Sequence, residues 1–118
     1  MSSIANILVA VIACLHMGFL VLEMFLWRTG FGRRTFGLTA EFAGQSAKLA
    51  ANQGLYNGFL AAGLVWGLAA PENALAIKTF FLACVTIAGI FGGVTVKRSI
   101  LVVQALPAAI ALALLYWP

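Results

Sequence analysis

Two ionisable side chains, His16 and Glu23, interrupt an otherwise apolar N-terminal run at 4–27 in which the only other polar residue is Asn6. At ~100° per residue, positions seven apart differ by about 20° around a helix, so His16 and Glu23 share one stripe, two turns apart. A carboxyl and an imidazole so placed can hold a polar ligand or exchange a proton, and an ionisable residue at membrane depth marks a functional site by default. A second polar group lies in 51–58, where Asn52, Gln53, Tyr56 and Asn57 enter another apolar run. On a helix they fall at about 0°, 100°, 40° and 140°, within one broad sector. Unsatisfied polar groups in hydrocarbon are costly, so these side chains must face other helices, water or a ligand. Glu23 and His16 are therefore the candidate acid/base residues, and Asn52, Gln53, Tyr56 and Asn57 the groups that would orient a ligand. Gln104 adds a third segment to this set, although one amide serves equally well to bind helices together.

Composition sets the surroundings of these residues. Of 118 residues, 64% are hydrophobic and 8% charged, against about 25% charged in soluble domains. The expected class is an all-α integral membrane protein of one domain. A net charge of +4 comes from seven basic residues spread between apolar runs, a pattern that sets membrane orientation and meets anionic headgroups. No nucleic-acid-binding motif is present, so no nucleic acid is expected as a partner. Cys14 and Cys84 lack the close spacing of zinc or redox sites and read as inert core thiols. No metal site and no soluble cofactor are expected; haem at His16 is an alternative that a single axial histidine supports weakly.

Four spans are expected, at about 4–27, 47–70, 74–96 and 100–117, each near the ~20 residues that cross a bilayer. The first lacks a basic leader and a small-residue cleavage pattern, so it is expected to be retained. The segment 28–46 reads as an interfacial connection, with Thr39 as N-cap and Glu41 in the first turn of a helix starting near Ala40. Pro71-Glu72-Asn73 makes the second turn, Lys97-Arg98-Ser99 the third, and Tyr116 and Trp117 suit an aromatic belt. Pro107 removes the bond to the Val103 carbonyl and bends the last span.

Short connections favour an antiparallel up-down-up-down four-helix bundle. Arg28, Arg33, Arg34, Lys48, Lys97 and Arg98 fall at one end and Lys78 at the other, which puts 28–46 and 97–99 in the cytoplasm and both termini in the periplasm of a bacterial inner membrane. Gly54-x-x-x-Gly58 and Gly89-x-x-x-Gly93 form smooth packing faces, from which a homo-oligomer is expected. Counting depth at ~1.5 Å per residue from Trp27 and Ala47 sets Glu23 level with Asn52, and His16 level with Asn57. All four are then expected in one cluster.

His16, Glu23 and Trp27 in the first span, followed by Asn52-Gln53-Gly54-x-Tyr56-Asn57 in the second, resemble the small four-helix bacterial membrane proteins of domain-of-unknown-function family 1304. The likeness covers nearly the whole chain. It supports the fold and the choice of residues, Trp27 included among the ligand-facing groups, and carries no activity. The small multidrug-resistance exporters are also similar in size and in having a first-span glutamate, but here the midplane carries His16. The expected function is an intramembrane polar pocket that binds a small lipophilic molecule, or converts it by cofactor-independent isomerisation or hydration. Proton-coupled transport through Glu23, or a structural and lipid-organising role, is the alternative.

Overall fold

The computed structural model describes residues 2–118, and among these every regular element is helical. α1 spans Ser2–Met24, α2 Gly30–Phe36, α3 Ala40–Ala69 and α4 Ala74–Thr95; a π-helical turn, Leu101–Ala105, continues into α5, Leu106–Leu115.

α1 stops short of Trp27. The amides of Phe25 and Leu26 both donate to the Val21 carbonyl, a doubled bond that closes the helix. Thr29 then starts α2: its hydroxyl donates to the Leu26 carbonyl at 2.6 Å and accepts from the Gly32 amide at 3.1 Å. A Cβ on Gly32 would collide with the Leu26 carbonyl, so only glycine lets α2 sit this close. α2 ends at Gly37, whose φ of 68° is left-handed, a conformation glycine adopts without steric cost. The interfacial connection expected over 28–46 thus contains a short helix of its own before α3 begins at Ala40. The signals were present in Thr29 and Gly37, an N-cap and a C-terminal stop seven residues of helix apart. Thr39 caps α3 as expected, accepting from the Phe42 amide at 3.1 Å.

Pro107 acts one turn upstream. It has no N–H and its ring crowds the Val103 carbonyl; the preceding backbone widens, so that the Leu106 amide bonds to the Leu101 carbonyl five residues back. What the structure shows before Pro107 is this π turn, a feature that recurs at functional sites.

The chain forms two compact units, one of residues up to 14 with 60–118, the other of 15–59. In the first, Val9, Ile12, Ala13, Leu64, Leu82, Val85, Ala108 and Ala111 make the core, drawn from four helical segments. Gly63 lies beneath the Phe81 ring and Gly67 against Lys78, while Gly89 meets Ala105 and Gly93 meets Leu101. Contacts that descend along one helix as they climb the next make α3 and α4 antiparallel, and likewise α4 and the C-terminal helix. The Tyr116 hydroxyl, expected at an interface, is hydrogen-bonded to Thr79 Oγ1 at 2.8 Å.

In the second unit, Gly54 packs on Glu23 and Met24 and Gly58 on Leu20, so these stretches of α1 and α3 also run antiparallel. The Trp27 indole N–H donates to Ser46 Oγ at 3.0 Å, and its ring lies 4.9 Å from that of Phe36. The fully buried side chains of this unit are small apart from one: Ala43 and His16 are both 0% exposed.

Both glycine pairs are therefore packing faces, as expected, but their partners lie inside the chain. They leave no smooth face to drive self-association, and the argument for an oligomer drawn from them falls. Cys14 is exposed and Cys84 half-buried, both free, so neither is the core thiol expected. Two helices, over Ser3–Met24 and Ala74–Thr95, are long and apolar enough to cross a membrane; Leu101–Leu115 is a shorter apolar helix. α3 is long enough, but Asn52, Gln53 and Asn57 dilute its apolar half.

Candidate functional site

Asn57 Nδ2 donates to Glu23 Oε1 at 2.5 Å. Both residues are half-buried, and Gly54, one turn below Asn57, makes the approach possible: a Cβ there would stand 3.1 Å from Glu23 Cβ and 2.7 Å from Met24 Cγ. Equal depth along the two helices predicts Asn52 beside Glu23, and the observed partner, Asn57, lies a little more than one turn further along α3. Two physical causes combine. Beyond Phe25 the chain leaves the helix, and non-helical residues advance up to ~3.3 Å each rather than 1.5 Å, so Trp27 is no measure of where α1 ends. Helical side chains also lean towards their own N-terminus. Across an antiparallel pair, Glu23 and Asn57 lean towards each other.

The other candidates separate. Asn52, Gln53 and Tyr56 are exposed, Tyr56 with its ring 6.1 Å from that of Phe59. His16 is fully buried and meets Phe19 edge to face at 5.3 Å. At two turns from Glu23, about 10 Å along the axis, it does not share the carboxylate's immediate surroundings. Trp27 spends its N–H on Ser46, a structural tie between the end of α1 and the start of α3. Gln104 is half-buried in the π turn and belongs to the other compact unit. Of the expected cluster of Glu23, His16, Asn52 and Asn57, the hydrogen bond joins Glu23 to Asn57, while Asn52 is exposed with Gln53 and Tyr56 on the same stretch of α3.

Two features escaped the sequence reading. Lys78, which the charge pattern treats only as the basic residue at the opposite end, is buried, and its ammonium donates to Asn6 Oδ1 at 2.7 Å. The signal was that both residues interrupt apolar helices. Arg33 and Arg34, read as orienting charges, line an open cleft with Gly30, Gly37 and Leu38. Among the described residues no three His, Cys, Asp or Glu side chains come together as metal ligands would.

An all-α chain with two helices apolar enough to span a bilayer, carrying a carboxylate–amide pair between antiparallel helices, defines the class. The chain belongs to a family described as proteins of unknown function, DUF1304, whose model matches residues 10–116. The match takes in His16, Glu23, Trp27 and the Asn52-to-Asn57 stretch, and agrees with the resemblance carried by those residues. No curated protein and no solved structure matches the chain.

Proposed function

We propose that this protein is a membrane-spanning antiparallel four-helix bundle that holds the polar end of a small lipophilic molecule at Glu23 and Asn57. The observation that carries the reading is the Asn57-to-Glu23 hydrogen bond between half-buried groups on two facing helices. Asn57 engages Oε1, so Oε2 is the oxygen offered to a ligand hydroxyl or amine.

Membrane residence is supported by what the helices leave uncovered. On α1, Ile4, Ile7, Val11 and Val21 are exposed at spacings that follow one helical face, and on α4 so are Phe80, Ile87, Phe91 and Val94. Only 28% and 22% of the most apolar windows of α1 and α4 are buried, unlike the core helices of a soluble protein. Water tolerates such contiguous apolar faces poorly, whereas hydrocarbon does not penalise them. The uneven distribution of basic residues orients the bundle with 28–46 and 97–99 in the cytoplasm of a bacterial inner membrane and both termini outside.

The exposed Asn52, Gln53 and Tyr56 need polar partners in hydrocarbon. A homo-oligomer that covers this face of α3 satisfies them. Binding is favoured over turnover, because His16 is too far along α1 to pass a proton directly to Glu23.

Mass spectrometry of small molecules that copurify with the protein in mild detergent tests the reading. A lipophilic compound retained by the native protein and depleted from Glu23→Gln and Asn57→Ala is the expected result. An identical small-molecule complement in all three preparations would sink it.

A further inference from the structure

Positions 30, 33, 34 and 37 have the spacing of one helix face, and on α2 and its cap they are Gly30, Arg33, Arg34 and Gly37. The glycines put no side chain on this face, and with Leu38 the four residues line an open cleft of about 340 Å³, within the range of small-molecule sites, about 300–1,000 Å³. Arg34 folds back along the helix, its Nη1 3.3 Å from where a Gly30 Cβ would stand. Arg33 Nε is buried and has no hydrogen-bond acceptor. A buried guanidinium N–H without an acceptor is costly and calls for an explanation.

Among the described residues the chain supplies no acceptor to this N–H. It has three acidic residues, of which Glu23 is bonded to Asn57, and among the described residues no carboxylate pairs with Arg33 or Arg34. The backbone of the cleft offers no competing donors either, since the amides of Gly37 and Leu38 both go to the Arg33 carbonyl. Arg33 and Arg34 both line the hollow, and with no carboxylate beside either guanidinium among the described residues the hollow suits an anion. Planar guanidinium forks match the oxygens of phosphate in pairs.

We infer that the Arg33–Arg34 cleft binds a phosphate group, that of an anionic lipid headgroup. The lipid source rests on the membrane reading above; the oxyanion chemistry does not. Phe31 on the same short helix and Phe25 just before it are 57% and 69% exposed, and the headgroup layer is where aromatic rings, arginines and phosphates meet. Leu38 gives the cleft an apolar wall suited to the glycerol end of a lipid.

The test offers protein in neutral detergent three probes separately: dioleoyl phosphatidylglycerol, dioleoylglycerol and inorganic phosphate. Bound lipid is read by native mass spectrometry and stabilisation by thermal unfolding. Phosphatidylglycerol should be retained over dioleoylglycerol, which differs in lacking the phosphoglycerol head. Arg33→Gln and Arg34→Gln should each weaken retention about tenfold or more, as loss of a charge-assisted hydrogen bond does. Arg98→Gln, in the other compact unit, should leave it unchanged. Because Arg34 is exposed, its variant is expected to fold normally, and its result stands even if Arg33→Gln unfolds. Stabilisation by inorganic phosphate that both arginine variants lose, without preference for phosphatidylglycerol, would keep the oxyanion site and overturn the lipid source. Native-like binding by Arg34→Gln, or no response to either phosphate probe, would overturn the site.

Discussion

Lys78 Nζ donates to Asn6 Oδ1 at 2.7 Å, joining residues 72 apart in the chain and tying the first turns of α1 to those of α4. The lysine is buried, and its stem lies against Gly67, where a Cβ would stand 2.6 Å from Lys78 Cγ. An amide is thus the visible partner of a buried ammonium. Asn6→Ala is expected to cost ~1–3 kcal/mol by leaving that ammonium short of an acceptor. The double variant Asn6→Leu with Lys78→Met removes both polar groups and should recover most of the loss. Thermal unfolding in detergent gives both numbers, and a double variant no better than Asn6→Ala alone would show that an unpaired ammonium is not the source of the loss.

Glu23 and Asn57 should be energetically coupled, whereas Glu23 and Asn52 should not. In a double-mutant cycle with Glu23→Gln and Asn57→Ala, we expect an interaction energy of ~0.5–3 kcal/mol in unfolding. The parallel cycle with Asn52→Ala should be additive within about 0.5 kcal/mol. Reversal of the two outcomes would mean that the register between these helices is not the one described.

Glycines that touch a neighbouring helix should behave oppositely to glycines in open space. A Cβ at Gly89 would lie 2.8 Å from Ala105 Cα and Cβ, whereas nothing lies within 4 Å of one at Gly18. Gly89→Ala is therefore expected to destabilise by ~1–3 kcal/mol through overpacking. Gly18→Ala should be neutral or stabilise by up to ~1 kcal/mol, the gain in helix propensity. Melting temperatures of the two variants against the native protein decide the matter.

Orientation can be read in cells. A reporter fused to the C-terminus is expected to behave as periplasmic, and a labelling probe placed within 30–37 as cytoplasmic, because six basic residues fall at that end against Lys78 alone at the other. A cytoplasmic C-terminus would overturn the topology.

The start of α3 and the glycine packing faces were legible in the residues themselves because each depends on neighbours within about one turn. Thr39 starts a helix through its own hydroxyl, and Pro107 disturbs the turn before it through its missing N–H. Gly54, Gly58, Gly89 and Gly93 announce close packing by lacking side chains. Family membership followed from the same local stretch, Asn52 to Asn57. Which amide meets Glu23 was a different kind of question. Its answer depends on how far the chain travels between Phe25 and Ala40, on the docking of α2 over Leu26, and on the opposed lean of side chains across two antiparallel helices. The burial of Lys78 likewise needs Asn6 and Gly67, far away in sequence. Periodicity tells which face of a helix packs; the sliding of one helix along another is set by contacts summed along the whole interface, and those exist only once the chain has folded.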